Sequence, residues 1–218
     1  MIRYVFINNI VLQIYKNIPK IVFPLDVCQV IALLPNCRFV SYQDFAEQHK
    51  CNIEDVIQFC QSESGCTHYD VDNERYLIMC NQSFDNNNNS GRQRWTCSHE
   101  VGHIVCKHFQ QSAYLSLTEN GFENLDKQFE SEADYFAATL LSPLPLFKIL
   151  NVQSQQDIQR IFGLSDQASF YRFQEYERWK KGHRKTSWDN DILNLPRLKS
   201  QDSWEQETTA SLFTKLSP

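Results

Sequence analysis

The sequence predicts an α+β fold in which a small β-hairpin lies beside several helices. Two β-rich runs, residues 66–71 and 75–80, flank a short polar turn and form the predicted hairpin. Two longer runs, residues 95–109 and 129–141, repeat their apolar residues at helical spacing. The chain has 218 residues, of which 42% are hydrophobic, so it can bury a sizeable core.

The first residues, Met1 to Ile7, could imitate the start of a signal peptide. Polar residues interrupt this apolar run from Asn8 onward and no small-residue cleavage site follows, so we expect no signal peptide. No run approaches the roughly 18 apolar residues of a membrane-spanning helix. These features predict a soluble, cytoplasmic protein without a membrane partner.

The eight cysteines are spread along a chain that is long enough to fold without disulfides. Because no export signal is expected, we interpret them as free, buried thiols. The absence of a C-x-x-C pair disfavours a cysteine-built zinc ribbon. The net charge of −5 argues against a protein that is basic throughout.

Residues 22–62 predict a layer of short helices, over residues 24–34, 42–50 and 53–60. Ser41 and Asn52 stand directly before the second and third of these helices and are their expected N-caps. The asparagine-rich stretch 85–91 is polar and low in complexity, which predicts an exposed, mobile loop.

Helix 129–141 is expected to end before Pro143, and two further helices are predicted over 154–162 and 166–181. Between these two, Gly163 can adopt a positive φ and Ser165 can cap the second helix. The expected organisation is an α+β domain with an N-terminal helical layer, a helix-turn-helix-like pair and a tail without structural assignment, over residues 1–150, 151–185 and 186–218.

The sharpest chemical signal is an H-E-x-x-H run from His99 to His103 inside a predicted helix. Four residues at 3.6 per turn place both imidazoles on one face, where they can bind one zinc ion. Glu100 lies beside them, and a carboxylate there can accept a proton from a water that zinc has made more acidic. This spacing predicts a zinc hydrolase.

A catalytic zinc site keeps three protein ligands and one open position, so a third ligand is required. His108 lies five residues after His103, and on an unbroken helix it would point away from the metal face. Glu130 is the favoured third ligand, with Asp134 one turn later as acceptor for the outer N–H of a ligand histidine. Glu132 is the main competitor for that third position.

At these residues the chain resembles the ImmA/IrrE family of metallo-endopeptidases, over about residues 64–181. Two motifs carry the likeness: RWTCSHEVGH, from Arg94 to His103, and ESEADYFAATLLSP, from Glu130 to Pro143. The chain departs from the family pattern at Trp95, Cys97 and Ser98, where Phe, an aliphatic residue and Ala are usual. These departures concern the fit of a substrate more than the binding of a metal.

The resemblance implies a zincin-type fold, a cytoplasmic setting in bacteria or their mobile elements, and cleavage of repressor-type regulatory proteins. It implies that His99, His103 and Glu130 bind Zn²⁺ and that Glu100 is the catalytic base. A zinc-dependent endopeptidase acting on a cytosolic regulator, such as a helix-turn-helix repressor, is therefore the leading prediction. The alternative is a DNA- or protein-binding regulator whose metal site is structural or vestigial.

Some residues near the motif have two interpretations. Cys97 could be a thiolate ligand or a redox sensor, although a packed neutral thiol is favoured. His108 could contact substrate or could equally be a hydrogen-bonded structural histidine. The donor that stabilises the oxyanion is not identified by any motif, and the candidates are His108, Tyr114 and Tyr135.

The predicted helix pair has the outline of a helix-turn-helix, with Ser169, Arg172 and Gln174 on a possible recognition helix. A basic cluster follows between Arg178 and Lys185 and could contact phosphates. Solvated cations favoured by the helix dipole explain the same charges. We therefore do not expect nucleic acid to be a partner.

Overall fold

The computed structural model describes residues 1–82, 90–110, 122–182, 184–195 and 198. Within them the chain forms the predicted α+β architecture. The helices are α1 (Tyr4–Asn17), α2 (Val27–Ile31), α3 (Tyr42–His49), α4 (Ile53–Cys60), α5 (Ser90–Val105), α6 (Phe122–Leu141), α7 (Leu144–Ile149), α8 (Gln155–Phe162), α9 (Asp166–Gly182) and α10 (Ser187–Leu193). The strands are β1 (Cys37–Ser41), β2 (Gly65–Asp70) and β3 (Arg75–Cys80).

Strands β2 and β3 form the hairpin that the sequence predicts. They pair antiparallel, with Gly65 opposite Cys80 and Asp70 opposite Arg75. The side chain of Asp70 accepts a hydrogen bond of 3.2 Å from the backbone N–H of Asn73, which closes the turn. The sheet order is β1-β3-β2, so β2 lies at one edge of this sheet.

Strand β1 lies in the break between the helices predicted over 24–34 and 42–50, where the sequence analysis assigned no element. It pairs parallel to β3, with Phe39 opposite Ile78. Five residues are too few for a clear alternation of apolar and polar side chains, and the pairing partner lies more than 30 residues away along the chain. Tertiary hydrogen bonding therefore decides this element.

The caps of α3 and α4 agree with the sequence. The side chain of Ser41 accepts a hydrogen bond from the backbone N–H of Asp44, and Asn52 and Asp55 form a reciprocal capping box. The helix expected over 24–34 is shorter than predicted, because Asp26 caps it and it spans only Val27–Ile31.

The sheet separates two clusters of buried side chains. On one face Ile78 and Cys80 join the main core, which also contains Val101 of α5 and Phe136 of α6. On the other face Met79 packs with residues of α3 and α4 in a smaller cluster. Consecutive residues of a strand point to opposite faces, so the central strand β3 contributes to both clusters.

Helices α5 and α6 approach each other closely because small residues line their contact. A Cβ on Gly102 would lie 3.0 Å from the Cα of Ala133, which is itself fully buried. The alanines of the Glu130–Pro143 motif give this face of α6 small side chains, which allow the close approach. The close contact brings the acidic face of α6 next to the histidines of α5.

Helices α8 and α9 follow the sequence closely. Gly163 ends α8 with φ +62°, and the Ser165 hydroxyl accepts a hydrogen bond of 3.3 Å from the Ala168 N–H at the start of α9. Two of the three residues placed on a possible recognition helix, Ser169 and Arg172, are buried. The Arg172 guanidinium donates to the Ser142 carbonyl oxygen at 2.7 Å, so it braces the end of α6 and cannot read DNA.

Two sequence predictions, the loop over 85–91 and the unassigned tail from 186, differ from the structure where a helix begins. Residues 85–89 lie outside the described residues, but Ser90 and Gly91 of the predicted mobile loop belong to α5. The tail from 186 contains α10, which Thr186 and Asp189 start with a capping box. Trp188 of α10 donates its indole N–H to the Asn8 carbonyl oxygen at 2.8 Å, and residues 199–218 lie outside the described residues.

Among the described residues, each helix is either too short or too polar to traverse a lipid bilayer.

Candidate metal centre

Three donors from α5 and α6 meet at the mouth of a cleft. His99 and His103 lie one turn apart on α5, and their Nε2 atoms are 3.0 Å apart. The carboxylate of Glu130 lies 3.1 Å from His99 Nε2 and 3.3 Å from His103 Nε2. These three side chains therefore converge on one point, as the sequence expectation requires.

Asp134 lies behind His99, one turn after Glu130 on α6. Its Oδ1 is 3.0 Å from His99 Nδ1, which turns the other ring nitrogen toward His103 and Glu130. Burial alone would lower the pKa of His99, but the carboxylates of Asp134 and Glu130 raise it to about 10. A carboxylate in this position orients a ligand histidine and makes it a better donor.

His103 lies in the opposite electrostatic setting. Burial and the positive charge on His99 lower the pKa of His103 to about 4. Its ring is therefore neutral at physiological pH, which is the protonation state that a metal ligand needs.

Glu100 points toward β2 from the same turn of α5. The Thr67 hydroxyl donates a hydrogen bond of 2.7 Å to its Oε2. Burial raises the pKa of this carboxyl group, while the Thr67 hydrogen bond and the charge on His99 oppose the increase. Glu100 is thus a partly buried carboxylate beside the histidines, suited to accept a proton.

His108 does not point away from the histidines, as an unbroken helix would require. Helix α5 ends at Val105, and Lys107 adopts φ +62°, so the chain turns back. This turn places His108 Nδ1 3.1 Å from His103 Nδ1, on the side away from Glu130. His108 is buried there, which favours its interpretation as a structural histidine.

Glu132, the competitor of Glu130, is fully buried on another side of α6. It lies 3.1 Å from His108 Nε2 and forms an ion pair with Arg3. Sequence reasoning missed Arg3, because nothing near it in the chain indicates a partner more than 120 residues away. The geometry favours Glu130 as the third donor and gives Glu132 a supporting position.

The cleft beside these groups has a volume of about 490 Å³. Gly65 and Thr67 of β2 line one wall, and Trp95 and Thr96 of α5 line another. Gly65 leaves room for this approach, because a Cβ there would lie 2.6 Å from Thr96 Cγ2. Trp95, one of the departures from the family pattern, therefore shapes the cleft directly.

Two of the three oxyanion candidates, His108 and Tyr135, lie among the described residues, and both are engaged in other contacts. His108 is buried behind His103. The hydroxyl of Tyr135 donates to Asn8 Oδ1 at 2.9 Å, and its ring packs edge-on against Tyr4. Tyr114 lies outside the described residues.

Cys97 is a packed thiol, as the favoured interpretation has it. It is buried, and its Sγ contacts the Sγ of Cys80 at 2.8 Å on the sheet side of α5. This contact directs it toward β3 rather than toward the three converging donors. Ser98, another departure from the family pattern, is also fully buried.

The donor set fits zinc. Two imidazole nitrogens and one carboxylate oxygen are ligands that zinc accepts, and the cleft leaves one side of the site accessible. An ordinary surface cluster of acids would not place two imidazoles one helical turn apart against a carboxylate. The residues present therefore suit a catalytic rather than a closed structural zinc site.

An α+β fold with these converging donors in an open cleft is the arrangement of metallopeptidase-like proteins. A family model described as the IrrE N-terminal-like domain, a peptidase family, matches residues 56–174. The match spans more than half of the chain, so the protein belongs to this family, which confirms the ImmA/IrrE resemblance. A search of curated proteins found no match.

Proposed function

We propose that this protein is a zinc-dependent endopeptidase. The observation that carries the proposal is the convergence of His99, His103 and Glu130 beside Glu100 in one open cleft. Membership of a peptidase family supports it. Three protein donors with one accessible side are typical of a catalytic zinc site.

The chain's own residues divide the work of peptide hydrolysis. When bound, zinc polarises the scissile carbonyl and makes water more acidic. Glu100 accepts a proton from the attacking water and then donates it to the leaving amine. Its raised pKa helps both steps, since a weakly acidic carboxyl group takes up and releases a proton closer to neutral pH.

Neighbouring side chains hold these groups in place. Thr67 fixes the orientation of Glu100 through its hydrogen bond, and Asp134 fixes the ring of His99. His108 contacts the outer nitrogen of His103 and is itself held by Glu132. Glu100, His99 and His103 therefore each have a partner that limits their rotation, which keeps the reacting geometry.

The substrate we propose is a cytosolic regulatory protein, such as a helix-turn-helix repressor. Strand β2 lies at the edge of the sheet and lines the cleft, so an extended peptide segment can lie alongside it. The cleft is open rather than enclosed, which suits a segment of a protein chain better than a small molecule. Family membership supports a regulatory setting.

Two variants test the proposal. Protein purified without added zinc should contain bound metal, and a His99→Ala, His103→Ala double variant should contain one equivalent less. Glu100→Gln should retain the metal, because it removes only the proton acceptor, and should cleave about 10²–10⁴-fold more slowly. Cleavage is measured as new N-termini in a bacterial cytosolic extract, counted by mass spectrometry.

The matched control is Glu63→Gln, a carboxylate at the start of the hairpin segment and outside the converging donors. Equal numbers of new N-termini with wild-type protein and Glu100→Gln would contradict the peptidase proposal, as would absence of bound metal under all conditions. The Glu100→Gln variant also serves to capture uncut substrate for identification by pull-down.

A further inference from the structure

A second group of metal-binding side chains lies on the opposite face of the sheet from the candidate zinc centre. Cys66 and His68 alternate along β2 and therefore point to the same face. Thr67 lies between them and points the other way, toward Glu100. Cys60, the last residue of α4, packs onto the face that carries Cys66 and His68.

The donor atoms of Cys60, Cys66 and His68 all lie within 4.8 Å of one another. Donors around one tetrahedral zinc ion are separated by about 3.5–4 Å, since Zn–S and Zn–N bonds are about 2.3 and 2.0 Å. Small side-chain rotations therefore suffice to bring the three atoms around one ion. A fourth soft atom is close, because Met79 Sδ lies 3.9 Å from Cys60 Sγ.

His68 supplies a second, independent observation. Its Nε2 is buried, and no hydrogen-bond partner for it is present among the described residues. Its ring stacks on Phe59, with the ring centroids 4.6 Å apart. A buried nitrogen without a partner is rare, because leaving it unsatisfied is unfavourable in free energy. A metal ion between His68 and the two thiols would satisfy it.

We propose that Cys60, Cys66 and His68 form a binding site for a thiophilic d¹⁰ cation, Zn²⁺ or Cu(I). Thiolate and imidazole donors suit both ions, and the nearby thioether of Met79 adds a soft ligand that Cu(I) accepts readily. Two thiolates balance the charge of Zn²⁺, and one thiolate balances that of Cu(I), in which case the other cysteine keeps its proton. Either complex is therefore electroneutral at the metal, as a partly buried site requires.

The third group of donors in the described residues, Cys106, His108 and Glu132, does not carry the same inference. Its carboxylate is paired with Arg3 and its imidazole is hydrogen-bonded on both ring nitrogens. These partners already satisfy the polar atoms. By contrast, the Cys60–Cys66–His68 group contains a buried nitrogen, His68 Nε2, without a hydrogen-bond partner among the described residues.

A cation at this site would join the end of α4 to the edge strand β2. Because β2 carries Thr67, and Cys66 is among the residues that line the cleft, the ion would stiffen one wall of the candidate active site. The site does not depend on the proposed peptidase activity, since none of its three donors is a proposed ligand of the catalytic zinc or the proton acceptor.

The experiment uses the full, reduced chain carrying His99→Ala and His103→Ala, which removes the first centre. Titration with Co²⁺, a spectroscopic stand-in for Zn²⁺, should produce a thiolate-to-metal charge-transfer band that saturates near about one equivalent. Zn²⁺ should abolish the band by displacing Co²⁺. In a separate arm, the protein should withdraw Cu(I) from a chromogenic chelator, and the two arms decide which ion binds more tightly.

Cys60→Ser with Cys66→Ser should abolish both signals, whereas the control Cys28→Ser with Cys51→Ser should leave them unchanged. His68→Gln keeps both thiols and should weaken binding by more than about tenfold, which preserves the test if the double serine variant fails to fold. Circular dichroism monitors folding. No charge-transfer band and no Cu(I) uptake, or signals that persist without Cys60 and Cys66, would overturn the proposal.

Discussion

At position 132 a fully buried carboxylate is surrounded by partners from distant parts of the chain. Glu132 accepts hydrogen bonds from the backbone and the guanidinium of Arg3, and it lies beside His108. His108 in turn contacts His103, a proposed metal ligand. Glu132, the alternative third ligand, therefore holds His108 against the proposed ligand His103. Outer partners of metal-binding histidines have this role.

Replacing Glu132 with Gln should lower the free energy of unfolding by about 3 kcal/mol, because Arg3 and His108 lose a charged partner in a buried setting. Burial would raise the pKa of Glu132, but Arg3 and His108 lower it to about 2. Its contribution is therefore complete above the usual carboxyl pKa and declines as pH falls toward 2. Urea unfolding at pH 7 and at pH 3 measures both effects.

The exposed residue Glu47 on α3 provides the matched control, and Glu47→Gln should change stability by less than about 0.5 kcal/mol. An Arg3→Met, Glu132→Leu double variant should recover part of the loss, because it leaves no unpaired charge. If Glu132→Gln is no more destabilising than Glu47→Gln, the buried pair does not have the role described for it.

Between α5 and α6 the distance is set by a glycine facing an alanine. Gly102 of α5 lies against the backbone of Ala133 on α6. The donors Glu130 on one helix and His103 on the other reach each other only because these two helices approach so closely. The geometry of the candidate metal centre therefore depends on the helix packing at this contact.

Gly102→Ala should destabilise the protein by about 1–3 kcal/mol, although alanine favours helix formation, because its Cβ would lie 3.0 Å from backbone that cannot easily move. The separation of α5 and α6 should also weaken metal binding. Chemical denaturation and competition with a zinc chelator measure the two consequences.

The control for this prediction is Gly182→Ala at the end of α9, where an added Cβ meets nothing within 4 Å. That variant should be neutral or slightly stabilising, because alanine restricts the unfolded chain. Equal metal affinity in Gly102→Ala and wild-type protein would show that the helix contact does not position the donors.

Over the whole molecule the net charge of −5 opposes binding to nucleic acid. Residues 171–200 are locally positive, with eight Lys and Arg residues against four Asp and Glu residues. Two of these cations are paired with acids of the same helix, since Arg172 is buried and pairs with Glu175, and Lys180 pairs with Glu177. The basic cluster is thus partly neutralised within its own helix.

We therefore predict that the protein binds duplex DNA no more tightly than about micromolar near physiological salt, the weak end of non-specific binding. Fluorescence anisotropy with mixed-sequence DNA and with DNA of its own operon tests this. Nanomolar binding that is lost in Lys180→Ala, Lys181→Ala would instead support the DNA-binding alternative, and a steep decrease with salt would show that phosphates are contacted.

Elements with strong local signals were predictable. Ser41 and Asn52 cap the helices that they were expected to cap, and Gly163 takes the positive φ that separates α8 from α9. The helix α1 and the strand β1 were not predicted, because the contacts that stabilise them are with residues far away along the chain. The helix α10 was also missed, although Thr186 and Asp189 form a capping box that the sequence displays.

The sequence by itself determined the part of the candidate site that lies within one helical turn. His99, Glu100 and His103 share their relation through the helical period alone, so any chain that is helical there brings them together. The burial of Glu132 against His108, the support from Arg3 and the grouping of Cys60 with His68 were decided only by tertiary structure. The physical reason is that packing between α1, α5, α6 and β2 sets these distances. The periodicity of side chains along the chain predicts which face of an element is buried, but not which distant residue packs against it.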